Sequence, residues 1–318
     1  MVAGASGIQH THFSDLADHL EPGDVLVVNT SATVPGQLDG RSSRLGPLVV
    51  HVANRLADGT RVTELRSAPD AAHPILTGRA GDRIELPGGG RLDLLAPYPE
   101  QSSPTGRGNR LWRTALHVPG EVLSYLQTHG RPISYGYLSR SWPIQDYQTI
   151  FANAPGSAEM PSAGRPFTPE LVTRLVSRGV LVVPVLLHTG VSSQDAGEAP
   201  QDEWFDVPAS TARAVNAARA AGGRVVAVGT TATRALESAT SDDGTVGAAS
   251  GWTDLVISAE RPVRVVSGLI TGWHNPEASH LLLVESVAGP ELTQRAYDRA
   301  VAERYLWHEF GDSGLLLP

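Results

Sequence analysis

The chain has 318 residues, of which 41% are apolar and 18% charged, and its formal net charge is −8. That length accommodates two domains of ordinary size, and the composition excludes the disordered and fibrous classes. The absence of cysteine excludes disulfides, thiolate catalysis and cysteine-ligated zinc or iron–sulfur centres. The negative balance argues against a chain that wraps nucleic acid over a broad surface, while leaving room for a small basic patch.

No apolar run approaches the roughly 20 residues that span a bilayer. Met1–Gln9 lacks the basic and apolar regions of a signal peptide. A cytoplasmic enzyme with no membrane partner is the expectation.

Asp24–Asn29 is a short apolar run introduced by the turn residues Glu21-Pro22-Gly23, and it predicts a strand closed by polar Asn29, Thr30 and Ser31. Those groups fit either a strand-end cap or a ligand contact. From Leu45 to His117 the chain breaks into short apolar pieces separated by Asp58-Gly59, Gly81-Asp82 and Gly88-Gly89-Gly90. Many short strands with glycine turns predict an antiparallel barrel. This segment, 45–117, reads as a domain inserted into a discontinuous one formed by 1–44 and 118–318.

Pro119–Thr128 has helical spacing, and Ser134–Asn153 is dense in aromatic residues but interrupted by Pro143. From Thr168 the pattern becomes α/β. Thr168-Pro169-Glu170 is a helix start, with Leu171, Leu175 and Val176 predicted on one face. Val180–Leu187 and Arg224–Gly229 predict buried strands, and Ser210–Ala220 and Thr230–Ala239 predict helices. Leu255–Ser258 and Val263–Leu269 read as further strands. Leu281–Val287 fits strand or helix, and Glu291–Phe310 reads as one long terminal helix. The fold class expected is α/β, a mostly parallel sheet with an inserted antiparallel β-barrel.

Ligands in open α/β sheets sit beyond the carboxyl ends of the strands. Three segments meet that description: Asn29-Thr30, Leu187-His188-Thr189-Gly190, and Gly229-Thr230-Thr231 with Arg234. Free N–H groups at a helix start favour an anion such as a carboxylate, although an ordinary helix cap fits the same residues. Arg234 and Glu237, three apart, fit a pair on the helix surface. His188 after its strand and His274 after another are candidates for proton transfer, with structural roles as the alternative. No local histidine–carboxylate motif marks a metal site. Ser162-Ala163-Gly164 are small residues that let backbone approach a ligand. Tyr147 and Gln148 fit either the stacking and reading of a base or core packing. The acidic group Glu198, Asp202, Glu203 and Asp206 fits a solvated loop.

In this order the pieces resemble the S-adenosylmethionine:tRNA ribosyltransferase-isomerase family. The matching residues are Leu20-Glu21-Pro22-Gly23-Asp24 with Asn29-Thr30, Pro35–Gly40, and Tyr147-Gln148-Thr149 with Gly156-Ser157. They continue with Pro161–Gly164 before Phe167-Thr168, Val226–Thr231 with Arg234, Leu236, Glu237 and Ser238, then Thr271, His274, Pro276 and Gly311-Asp312. The resemblance runs from about His12 to Asp312. It implies an α/β domain with an inserted barrel, with S-adenosylmethionine as co-substrate rather than a permanently bound cofactor. It also implies adenine and methionine as products, and a 7-aminomethyl-7-deazaguanine base in tRNA as acceptor. In the implied chemistry a base removes a proton from the ribose carbon beside sulfur. Adenine then leaves, the amine attacks, and the sugar rearranges.

On that scheme His188 and His274 would be the proton-transfer groups. Asn29, Thr30, Gly229, Thr230, Thr231 and Arg234 would hold the donor. Tyr147, Gln148, Ser162, Ala163 and Gly164 would hold the acceptor base. Departures fall at Ala32, Gln37, Arg165-Pro166, Ser192-Ser193-Gln194 and Gly272-Trp273. They keep open a small-molecule acceptor, cleavage of the donor alone, or a silent binding protein.

Overall fold

The computed structural model describes residues 1–99, 106–135, 142–191, 201–274, 280–307 and 310–318. The chain begins with a small hairpin, β1 (Val2–Gly4) and β2 (Gly7–Gln9), followed by the central strand β3 (Val25–Asn29) and the short β4 (Ser31–Thr33). It then makes β5 (Gln37–Ser42), β6 (Gly46–Arg55), β7 (Arg61–Ser67), β8 (Arg83–Glu85), β9 (Arg91–Pro97) and β10 (Leu111–His117). These six strands close into an antiparallel barrel in the order β10-β7-β6-β5-β8-β9. Alternate residues Leu38, Leu48, Val50, Leu65, Ile84, Leu92 and Leu94 fill its interior. Each fully buried side chain of that size contributes about 1.5–3 kcal/mol.

The barrel starts earlier than the boundary at 45 expected from the sequence. Gln37–Ser42 is itself a barrel strand, with Leu38 buried and Asp39 exposed. Gly40 is required there, because a Cβ would lie 2.7 Å from the Ile84 side chain.

After α1 (Val122–His129) the chain returns through β11 (Ala154–Ser157), which pairs in parallel with β4. The strand leaving the main sheet for the barrel and the strand coming back are therefore neighbours. The rest alternates: α2 (Pro169–Ser177), β12 (Leu181–Leu187), β13 (Glu203–Val207), α3 (Ala209–Ala220), β14 (Val225–Val228) and α4 (Thr230–Ser238). It ends with β15 (Ala249–Thr253), β16 (Gly268–Gly272), α5 (His280–Ala288), α6 (Pro290–Ala302) and β17 (Ser313–Leu317).

The main sheet has nine strands in the order β15-β13-β12-β3-β14-β16-β17-β1-β2. It is mixed. Its centre, β12-β3-β14-β16, is parallel, while β13 and β15 on one side and β17 and β2 on the other pair antiparallel to a neighbour. Val25 to Val28 and Val225 to Val228 are buried throughout, as strands covered on both faces must be.

Thr168 caps α2 by accepting the Leu171 backbone N–H at 3.2 Å. Leu171 and Leu175 are buried, but Val176 is 55% exposed, because it lies past the edge of their shared face. No strand forms at Leu255–Ser258, and the one expected at Val263–Leu269 begins only at Gly268, as β16. Arg264, Val265 and Val266 instead give their backbone N–H groups to the Glu237 carboxylate, leaving none for a strand partner. The ambiguous segment Leu281–Val287 is helical, within α5, and the terminal helix expected at Glu291–Phe310 is α6, which ends at Ala302. Gly289, at φ 76°, separates α5 from α6, and Arg304, at φ 58°, lies just beyond the end of α6. Among the described residues no helix is long and apolar enough to cross a membrane.

Candidate active site

The carboxyl ends of β3, β12, β14 and β16 meet at one edge of the parallel centre, as the sequence predicted. Asn29 ends β3 and ties the neighbouring segments together. Its Oδ1 accepts the Ser31 and Leu187 backbone N–H groups at 3.1 and 3.0 Å. Its Nδ2 donates to the Leu187 carbonyl at 2.9 Å and to Thr231 Oγ1 at 3.1 Å. The Thr30 hydroxyl donates to the Val185 carbonyl. Both residues shape the floor of the edge.

His188 follows β12. Its Nδ1 is hydrogen-bonded to Ser31 Oγ at 2.7 Å, and Ser31 Oγ lies 2.6 Å from Ser157 Oγ. Ser157 Oγ accepts the Thr189 backbone N–H at 3.0 Å. Among the described residues the imidazole Nε2 has no hydrogen-bond partner. The ring packs against Gly156, where any Cβ would stand 2.5 Å from it. Burial holds this imidazole below the ordinary histidine pKa. The neutral ring has one nitrogen fixed and the other available to take a proton. In the sequence Ser31 reads as one of the polar groups that close β3 and Ser157 as part of a matching motif, with nothing to show that the two meet. They meet because β4 and β11 pair across the base of the barrel.

Gly229, at φ 91°, turns the chain from β14 into α4, and this left-handed conformation favours glycine. An added Cβ there would lie 3.2 Å from Ala163 Cβ. The Ser162–Gly164 turn thus sits against the start of α4, as the small residues in both segments allow. Thr230 and Thr231 open the helix beside Asn29. The Thr231 backbone N–H and those flanking it point out of the helix start, an arrangement that favours an anion.

Arg234, one turn further along α4, does not pair with Glu237. Its guanidinium makes an ion pair with Glu203 and donates to the Leu255 carbonyl at 3.0 Å. Glu203 also accepts the Gly190 backbone N–H at 2.8 Å. This buried strut fixes the loop that carries His188 against the helix that carries Thr230 and Thr231. Glu203 does not belong to a solvated loop. The alternation Glu203-Trp204-Phe205-Asp206-Val207, with buried residues at every second place, is the signal that marks it as part of a strand.

His274 follows β16, three strand spacings from β12 and so about 14 Å away across the sheet. Its Nε2 is hydrogen-bonded to Thr271 Oγ1 at 3.1 Å, and its ring stacks on His280 with centroids 4.6 Å apart and planes 8° from parallel. His280 has an unpartnered buried Nδ1, and burial, with the Arg234 charge nearby, pushes it down to about 4. Trp273 is core, packed edge-on to Tyr297 and Tyr305. It does not fill the site.

Gln148 gives its amide N–H to the Thr33 carbonyl at 2.8 Å and accepts the Thr33 backbone N–H at 3.0 Å. Tyr147 is buried, with its carbonyl accepting from Thr33 Oγ1 and its ring edge-on to Phe310 at 5.3 Å. The structure therefore brings these two to β4 as framework. Arg165 lies over the Phe310 ring. Ser192-Ser193-Gln194, Glu198 and Pro276 lie outside the described residues. Among the described residues no group of His, Asp and Glu could hold a metal ion. A cleft of about 270 Å³ lies elsewhere, lined by residues including Met1, Thr11, His19, Arg304 and Asp312 and by none of the candidate site residues.

A family model described as Queuosine biosynthesis protein matches residues 1–316. The S-adenosylmethionine:tRNA ribosyltransferase-isomerase of Symbiobacterium thermophilum is 34% identical, with the match covering 100% of this chain and 92% of the relative. The protein of the same name from Nitrobacter winogradskyi is 34% identical, over 100% of this chain and 91% of its own length. Among solved structures, S-adenosylmethionine tRNA ribosyltransferase from Thermotoga maritima superposes with a TM-score of 0.51 at 26% identity, covering 100% of this chain and 91% of that one. Full-length kinship of this kind, together with the barrel inserted beside β4 and β11, shows that the chain belongs to the queuosine biosynthesis protein family.

Proposed function

We propose that this protein transfers and isomerises the ribosyl group of S-adenosylmethionine onto a 7-aminomethyl-7-deazaguanine base in tRNA, in the cytoplasm, releasing adenine and methionine. The observation that carries the reading is the full-length likeness to relatives named for that reaction. The site geometry supports it. The reaction needs a base near the ribose carbon beside sulfur, an anchor for the methionine carboxylate, and a proton for departing adenine.

His188 is the base. Its Nε2 is open, its Nδ1 is held by Ser31, and burial keeps it neutral and able to accept a proton. The start of α4 at Thr230 and Thr231, framed by Asn29, Thr30 and Gly229, receives the carboxylate. Arg234 acts there through Glu203, by holding the helix and the His188 loop in register. His274 supplies the proton to adenine. Following a strand three places from the one that carries His188, it serves a different atom of the donor. Ser162, Ala163 and Gly164 offer backbone to the acceptor base, with Tyr147 and Gln148 supporting them from behind. The catalytic layer comprises 1–36 and 118–318, and the barrel, 37–117, is an inserted domain on the acceptor side.

The test is direct. Purified protein is incubated with S-adenosylmethionine and with tRNA carrying the aminomethyl base, and products are read by mass spectrometry. Free adenine together with tRNA heavier by the rearranged ribosyl group is the expected result. Adenine with unmodified tRNA would contradict the acceptor assignment.

A further inference from the structure

His188 does not stand alone on its face of the sheet. β12 and β13 run antiparallel with Leu187 opposite Phe205, so the next pair is His188 and Trp204. The His188 backbone N–H donates to the Trp204 carbonyl at 2.9 Å, which fixes that pair. Trp204 is in turn directly opposite Trp252 on β15. Residues directly opposite in antiparallel strands project to the same side. His188, Trp204 and Trp252 therefore form one row across three strands. The other face of β13 carries buried Glu203 and Phe205.

The outer end of the row is open. Trp252 is 41% exposed, and its ring meets Trp204 edge-on with centroids 4.6 Å apart. Its indole N–H donates to the Arg55 carbonyl at 3.0 Å, which joins the row to the barrel at the end of β6. Arg55 is exposed and faces Arg61 across the β6–β7 pair, while Arg61 is half-buried and donates to the Ala53 carbonyl at 3.3 Å. Two like charges placed together repel, and an anion between or beside them relieves this. The barrel segment, 37–117, carries eleven arginines against eight carboxylates, for +3, whereas the remainder of the chain carries −11 of the total −8. The chain has no lysine, so its 25 permanently cationic side chains are all arginine, which both pairs with phosphate and stacks on flat rings.

We propose that Trp204 and Trp252, with Arg55 beside them, form a stacking platform for unpaired nucleotides of a single-stranded RNA segment, leading the acceptor base toward His188. Three features select this occupant. The indole faces stack on any base, the arginine complements phosphate, and the row is continuous with the proposed base. A paired duplex has no free base faces to offer.

The inference rests on the tRNA-acceptor reading above, and the experiment separates the two. The full chain is titrated with a fluorescently labelled RNA hairpin bearing an unpaired loop, and separately with a fully paired RNA duplex of equal length. Anisotropy and intrinsic tryptophan fluorescence are followed. The hairpin is expected to quench tryptophan emission and to bind more tightly than the duplex. Trp252→Ala should weaken hairpin binding about fivefold to a hundredfold, while Trp252→Phe, which keeps a ring, should retain most of it. Circular dichroism and thermal melting check that both variants are folded.

If Trp252→Ala and Trp204→Ala both bind the hairpin as the parent does, the platform is wrong, and modification of tRNA by the parent protein leaves the acceptor reading intact. Equal affinity for duplex and hairpin also overturns the stacking claim. If the parent protein neither binds the hairpin nor modifies tRNA, both fall.

Discussion

His188 and His274 occupy equivalent places, each just past the carboxyl end of a strand in the parallel centre, yet they are held in opposite ways. His188 is fixed through Nδ1 by a serine pair that the barrel insertion brings together, and its Nε2, against Gly156, has no hydrogen-bond partner among the described residues. His274 is engaged through Nε2 by Thr271 and covered by the parallel ring of His280. Position at a strand end selects both as candidates. The hydrogen-bond partners then distinguish them, because Ser31 holds His188 at Nδ1 whereas Thr271 holds His274 at Nε2. The Arg234–Glu203 strut stands between them as a third kind of group, with its polar atoms satisfied inside the protein and its work done in holding the other parts in place.

The comparison breaks first at the strut. Glu203→Ala leaves the mostly buried Arg234 guanidinium without its carboxylate, and loss of one partner of a buried pair costs about 3–5 kcal/mol. Urea unfolding should show that loss in the midpoint. A midpoint unchanged from the parent would mean that the strut does not hold the site together.

Next comes the covered histidine. His280 titrates at about 4 in the folded chain, against 6.5 for the unperturbed group. Between those values the unfolded chain binds the extra proton and the folded chain does not, so stability falls as pH drops from 6.5 toward 4. The full shift corresponds to about 3 kcal/mol. His280→Leu should flatten that part of the melting temperature–pH curve, and an unaltered slope would place the buried proton elsewhere.

The smallest effect sharpens the other side. Ser31→Ala removes the hydrogen bond that orients His188, and turnover should fall up to about tenfold with little change in melting temperature. Turnover equal to that of the parent would show that Gly156 and the backbone alone orient the ring.

How far the sequence discloses all this depends on how local each cause is. The Val225–Val228 run followed by Gly229-Thr230-Thr231 announces a buried strand, a sharp turn and a helix start within seven residues, and the structure has all three. The Thr168 cap and the glycine-punctuated barrel are equally local. What could not be read was set by distant partners. Ser31 and Ser157 are 126 residues apart and meet only because the barrel's exit and return strands pair. Glu203 looks like one more acid in an acidic stretch until Arg234 and the Gly190 N–H are placed beside it. Val263–Leu269 has strand composition, but Glu237 takes the N–H groups of Arg264, Val265 and Val266, so the strand starts only at Gly268. His280 gives no sign in the sequence that its ring stacks on His274.

The central claim is that His188, through its open Nε2, is the base that starts ribosyl transfer. It is tested most directly by single-turnover adenine release from S-adenosylmethionine, in the presence of the aminomethyl-modified tRNA, comparing the parent protein with His188→Gln at matched folding. Loss of a general base predicts a rate lower by about a hundredfold to ten-thousandfold, with S-adenosylmethionine still bound. Adenine released by His188→Gln at the parent rate would contradict the account.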